Sequence, residues 1–217
     1  MVVRLISLLS ILFLATACLQ TVPKDYASFR NADPKSLLIV PAVNRSLEVT
    51  APDYFLATIS RPLAERGYYV FPVYLVKRVM EEDGMSDADM VHAEDPVQLA
   101  SLFSADAILY VTIQKWESQY AVFATNTQIE IDYVIKDGST GVELWSHNQK
   151  MNYSPSQNSG GGIAGLIANA ITAATEKAAP NYIPLARQAN AAAFNPPHQG
   201  LPSGPYAKAY QQDMADY

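Results

Sequence analysis

The run Ser36-Leu37-Leu38-Ile39-Val40, closed by Pro41, has no polar face to offer water. A continuous apolar segment of this length reads as a strand buried on both sides, so the sheet holding it needs helices packed on it. Pro52 then opens a helical pattern to about Arg66, with Tyr54, Leu56, Ile59 and Leu63 along one side. Proline is tolerated in a first helical turn, whereas Pro62 is expected to kink or break the helix. Gly67 is the expected stop, and Tyr68-Tyr69-Val70-Phe71-Pro72 is the next strand. Strand, helix and strand in this succession predict a parallel crossover unit.

The pattern continues with a helix over Val73 to Asp83, ending in Glu81-Glu82-Asp83 before Gly84. Asp95-Pro96 is placed to cap another helix, which runs to about Phe103. Ala105 to Ile113 reads as a third strand. From Gln128 to Lys136 the alternation is clear, with Ile129, Ile131, Tyr133 and Ile135 on one face and Gln128, Glu130 and Asp132 on the other. That is a half-exposed strand. Asp137-Gly138-Ser139-Thr140-Gly141 supplies a turn, and Val142-Glu143-Leu144-Trp145 resumes the ladder. Tyr120 to Met151 should therefore be antiparallel strands. Asn158 to Gly162 reads as a flexible loop before a helix bearing Ile163, Leu166, Ile167, Ala170, Ile171, Ala174 and Ala178 on one face. Tyr182 to Phe194 predicts one more helix. Pro196, Pro197, Pro202, Pro205, Gly200 and Gly204 then mark a tail expected to be disordered or loosely packed. The expected fold class is α/β, a single domain with one mixed sheet flanked by helices.

The first eighteen residues have the parts of an export signal. Arg4 is the positive region, Leu5 to Phe13 the apolar core, and Leu14-Ala15-Thr16-Ala17-Cys18 the cut site. The apolar stretch is shorter than the ~20 residues of a spanning helix. Small residues followed at once by the one cysteine of the chain resemble the lipobox of bacterial lipoproteins. That resemblance implies cleavage before Cys18, a diacylglycerol on its thiol and an acyl chain on its new amine. Several acyl chains hold a protein to a bilayer firmly, where one holds it marginally. Leu19, rather than Asp, follows the cysteine, and by the sorting rule of such lipoproteins this implies the outer membrane; the periplasmic face is expected rather than the cell surface. The expected division is a signal peptide over 1–17, lipidated Cys18 and a tether over 18–33, an α/β domain over 34–190 and the tail over 191–217.

Composition excludes several classes. Of 217 residues, 49% are hydrophobic, which is too many for a low-complexity disordered chain. Lys and Arg number 15 against 21 Asp and Glu, so there is no basic excess for nucleic acid. One cysteine excludes an internal disulfide and any zinc site built from several cysteines.

Further segments carry a family resemblance. These are Asp25-Tyr26-Ala27-Ser28-Phe29, Pro34-Lys35-Ser36 with the strand to Asn44, Pro62-Leu63-Ala64-Glu65-Arg66-Gly67-Tyr68-Tyr69-Val70 and Ala105-Asp106-Ala107-Ile108-Leu109-Tyr110-Val111-Thr112. With the Gly160-Gly161-Gly162 loop and its small-residue helix, they are similar to a family of bacterial lipoproteins of unknown function, whose best-known member is a neisserial genome-derived vaccine-candidate antigen. The likeness covers roughly residues 25–178, and the tail after about Asn190 stands outside it. It implies a fold similar to the amino-terminal domain of the Tol-system propeller protein, to curli-channel lipoproteins and to lipoprotein activators of penicillin-binding proteins. Those relatives bind proteins and are not enzymes. The resemblance therefore implies lipoprotein partners in the envelope and supplies no catalytic residue, cofactor or metal.

The residues themselves agree. Gly160-Gly161-Gly162 is followed by Ile163-Ala164-Gly165, not by the Lys-Ser/Thr of a phosphate loop. Gly161 with Gly165, and Ala164 with Ala168, are spaced to let a second surface approach closely. Gly161, Gly165, Leu166 and Ala168 therefore mark a candidate interaction helix for self-association or membrane contact, while close packing on the sheet is the plainer reading. His92, expected in a loop, His147 and His198 are scattered, and no Gly-x-Ser-x-Gly elbow exists. Tyr26, Tyr68, Tyr69 and Tyr74 could form a sticky face or be ordinary core-edge residues. The expected function is that of a non-enzymatic assembly or regulatory partner in an envelope complex, the alternatives being a self-assembling structural subunit or an undetected hydrolase.

Overall fold

The computed structural model describes residues 24–120, 125–154 and 181–217. Its centre is a six-stranded sheet in the order β3-β1-β4-β5-β6, with β2 paired to β4 beyond the end of β1. The strands are β1 (Ser36–Ile39), β2 (Val43–Asn44), β3 (Tyr69–Val70), β4 (Ala107–Tyr120), β5 (Thr125–Asp137) and β6 (Glu143–Tyr153). The helices are α1 (Ala27–Ala32), α2 (Ala51–Glu65), α3 (Val73–Glu82), α4 (Ala88–Ala93), α5 (Pro96–Phe103) and α6 (Ile183–Phe194).

The expected crossover is present: β1 pairs in parallel with β3, Ser36 opposite Tyr69, and with β4, Leu37 opposite Ala107. Asp106 fastens the start of this unit, its Oδ2 accepting from the Lys35 and Ser36 amides at 3.0 and 2.9 Å and from Ser36 Oγ at 2.9 Å. β4, β5 and β6 form the antiparallel section. At the turn between β5 and β6, Asp137 Oδ1 accepts from the Ser139 and Thr140 amides and hydroxyls at 2.6–2.9 Å. Burial works against the Asp137 charge, yet these hydrogen bonds prevail and hold its carboxyl below the usual range.

Leu37, Ile39, Leu109, Val111, Trp116, Ile131, Tyr133 and Ile135 face α2 and α6, whose Phe55, Ile59, Leu63, Leu185, Ala189 and Phe194 complete the inner core. Leu38, Val40, Ile108 and Tyr110 face the other way, against Val76, Met80, Val91 and Leu99 of α3, α4 and α5. The N-termini of α4 and α5 are capped as such sequences allow, Asp87 accepting from the Met90 amide at 3.1 Å and Asp95 from the Val97 amide at 2.9 Å.

Several expectations need correction. Pro62 neither breaks nor ends its helix, because it lies in the last turn of α2. The third strand does not stop at Ile113 but runs to Tyr120. A bulge at Gln114 interrupts the alternation there and returns Trp116 to the inner face. His92 lies on α4, not in a loop. The tether does not extend to residue 33: α1 is folded, and Tyr26 and Phe29 are buried in the inner core. The tail after Phe194 is not loose. Its successive carbonyls of Gly200, Leu201 and Pro202 accept from the Tyr26 hydroxyl at 2.8 Å, the Arg66 guanidinium and the Tyr68 hydroxyl at 2.8 Å. Leu201 and Tyr217 are buried, and the guanidinium lies 4.6 Å from the Tyr217 ring centre. Prolines and glycines predicted disorder because they make little secondary structure; here long side chains from the body supply the missing partners. Gly67 has φ +87° and its carbonyl accepts from the Tyr206 amide at 3.0 Å, so the tail crosses where a side chain would block it.

Candidate functional site

The sequence-derived sites fall outside the described residues. Cys18 lies ahead of them, and Gly161, Gly165, Leu166 and Ala168 lie between the second and third described segments. Among the described residues no three His, Cys, Asp or Glu side chains are grouped to hold a metal.

The histidines serve three separate places. On α4, His92 donates from Nε2 to the Pro41 carbonyl at 3.0 Å and stands edge-on to Tyr110. Burial lowers its pKa below the ordinary value, against the opposing pull of that hydrogen bond. On β6, His147 stacks flat on Trp145, with 5.8 Å between ring centres, and burial lowers it as well. His198 belongs to the tail, where its carbonyl accepts from the Lys24 amide at 3.1 Å.

The four tyrosines divide. Tyr26 and Tyr68 are buried, and burial pushes both hydroxyls well above the usual phenol value, which keeps them neutral donors to the tail. Tyr69 and Tyr74 are 51% and 67% exposed. Tyr74 joins Leu75 and Val79 in an exposed apolar row on α3.

Two concave features adjoin the tail. A small cleft of about 90 Å³ lies between α1 and the tail, lined by Arg30, Asp33, Tyr68, Tyr210 and Asp213 among others. Its walls are already partnered, with the Tyr210 hydroxyl donating to Asp33 at 2.6 Å and Asp213 lying 3.6 Å from Arg66. The second is an open groove of about 760 Å³ at the β6 edge of the sheet, lined by Lys24, Asp132, Ser146, His147, Asn148 and Gln199. Lys24 is fixed there. Its ammonium lies 4.5 Å from the Trp145 ring centre and donates to the Ser146 carbonyl. Burial lowers its pKa to about 8, against the pull of Glu143. Asp132 is held by Gln114 at 2.8 Å and by Asn148 at 2.6 Å. The groove is open to solvent, and Tyr133 and Val134 add apolar lining to its polar rim.

Asn190 stands out only weakly in the sequence. It is fully buried on α6, accepts from the Tyr133 hydroxyl at 2.9 Å and donates to Thr58 Oγ1 at 3.0 Å. This links the sheet, α6 and α2 through one polar chain inside the inner core. An amide among alanines on an apolar helix face was the one available hint.

Residues 24–206 match the family described as "Putative lipoprotein GNA1162-like". The match runs past residue 178 and takes in residues 191–206 of the tail, beyond the segments that carry the resemblance. A Neisseria meningitidis serogroup B protein, "Putative lipoprotein NMB1124/NMB1162", is 33% identical over 168 residues, covering 77% of this chain and 78% of its own. The crystal structure of lipoprotein GNA1162 from N. meningitidis is similar at a TM-score of 0.54 and 32% identity, covering 66% of this chain and 99% of that one. The LpoB C-terminal domain from Escherichia coli reaches a TM-score of 0.39 at 16% identity, over 55% of this chain and 84% of its own, and adds nothing to the assignment. On the extent of the family match and the identity to the neisserial relative, this chain belongs to the GNA1162-like lipoprotein family.

Proposed function

We propose that this protein is anchored to the outer membrane through lipidated Cys18 and that its α/β body is a non-enzymatic assembly or regulatory partner in an envelope complex. The observation that carries the reading is membership of a lipoprotein family together with a cysteine placed directly after an export signal. Leu19 supports the outer membrane. No described helix is long and apolar enough to cross a membrane. Tyr74, Leu75 and Val79 on α3 form a surface suited to a protein partner.

The test is Cys18→Ala in the native host, with labelled palmitate, membrane fractionation and cross-linked co-purification followed together. The expected result is loss of label, release from the outer membrane and loss of co-purifying envelope proteins, with the body still folded. Retained outer-membrane location would overturn the anchor. Recovery of no envelope protein with the lipidated parent would overturn the partner role.

A second reading, self-assembly, is favoured by β6, the last strand of the sheet, whose eleven residues pair only with β5 among the described residues. Light scattering at high concentration decides it, a monomer being the result that removes it.

A further inference from the structure

Few residues separate the proposed anchor from the first described residue, Lys24. Lys24 is held at three points, by its amide on His198, its ammonium on Ser146 and its place over Trp145. Five residues, Leu19 to Pro23, separate it from Cys18. At the full reach of a polypeptide, Cys18 lies within about 21 Å of Lys24. A body of this size is about 40 Å across. The chain is therefore too short to let the side remote from Lys24 turn toward the surface in which Cys18 is embedded.

We propose that the corner built from Lys24, Ser146 to Asn148 and Pro197 to Gln199 is the membrane-facing surface of the protein, held against a phospholipid bilayer. This rests on the attachment through Cys18 proposed above. The remote side is defined by the fold. β3 is the opposite edge of the sheet from β6. α3 packs on the opposite face from Trp145, since Val76 and Met80 belong to the outer core and Trp145 to the inner one. The exposed row of Tyr74, Leu75 and Val79 is thus turned away from the lipid, where a partner can reach it. At the corner, Lys24, His147, Asn148 and Gln199 bring hydrogen-bonding groups to the groove, beside apolar lining from Tyr133 and Val134. The corner suits the headgroup layer rather than the hydrocarbon. The clamp on Lys24 is what makes the short connection an orienting device: without it the effective tether would lengthen by the residues released.

The test uses the full lipidated protein in vesicles of phosphatidylethanolamine and phosphatidylglycerol. Cys18 is blocked by its lipid, so an added cysteine is the single free thiol for a fluorophore. Ser146→Cys and Pro197→Cys probe the corner, and Leu75→Cys and Val79→Cys the remote side. Energy transfer to a headgroup-labelled lipid should be several-fold stronger at the two corner sites. Inserting about twelve Gly and Ser residues between Gln20 and Thr21 should remove that contrast. Palmitate labelling of the same samples separates the two failures. Labelled protein with equal transfer at all four sites, or stronger transfer from α3, overturns the orientation alone. Protein without label overturns the orientation and the anchor together.

Discussion

The parallel and antiparallel halves of the sheet are covered differently. In the parallel half, Leu37 and Ile39 are buried under α2 and α6, while Leu38 and Val40 are buried under α3 to α5. In the antiparallel half only one face is dry. Ile129, Ile131, Tyr133 and Ile135 point into the inner core, while Gln128, Glu130 and Asp132 point into solvent. The solvated face is laced by cross-strand pairs, Glu130 with Lys150 at 3.1 Å and Lys115 with Gln128 at 2.9 Å. Antiparallel strands tolerate one wet face because a hairpin needs no helix to cross back; parallel strands do not. The contrast teaches that the inner face is the continuous core of the protein and that α1 and the tail, packed against each other, help to close it.

The largest test of that contrast is deletion of residues 196–217. It uncovers Tyr26, Tyr68 and Phe194 and removes Leu201 and Tyr217. At about 1.5–3 kcal/mol for each large side chain returned to water, the loss rivals the whole stability of a domain. The expected outcome is loss of cooperative urea unfolding. Next is Leu38→Ala, in the half dry on both faces. It should cost about 2–5 kcal/mol in urea denaturation, the range for a buried leucine truncated in a packed core. Asn190→Ala should cost about 1–3 kcal/mol by the same measurement, because it leaves the Tyr133 hydroxyl without its acceptor in a dry core.

A smaller effect concerns pH. His92 and His147 both have folded pKa values below the unfolded one, mainly through burial. The unfolded chain therefore binds more protons as pH drops below about 6.5, so this contribution is complete above that pH and is lost as pH falls through the folded values. The urea midpoint should fall from pH 7 to pH 5, and His92→Gln should flatten the slope. Glu130→Ala, on the wet face, is the smallest change. Its midpoint should match the parent's within scatter, and a marked loss there would mean that this face is covered in solution.

Much of the fold was legible because the signals were local. The run from Leu37 to Val40 announces a doubly covered strand, the alternation from Gln128 to Lys136 a singly covered one, and Asp95-Pro96 a helix start. What failed depended on partners distant in sequence. The alternation breaks at Gln114, so β4 was read as ending where a bulge begins. The tail looked disordered because its own residues form little regular structure, and the donors that fix it, Tyr26, Arg66 and Tyr68, lie more than a hundred residues earlier. The groove at Lys24 has the same origin, since its lining comes from the start, the middle and the end of the described chain.

The sequence by itself determined the α/β class and the family resemblance, and it alone carries the pattern of an export signal ahead of Cys18. Each of these is written in the identity of neighbouring residues or in a short period along the chain. Only the tertiary structure decided that Lys24 and α1 are fixed to the body and that the tail is part of the core. Those outcomes rest on hydrogen bonds and burial between segments far apart in the chain, and a one-dimensional pattern holds no record of which distant carbonyl a buried tyrosine will meet.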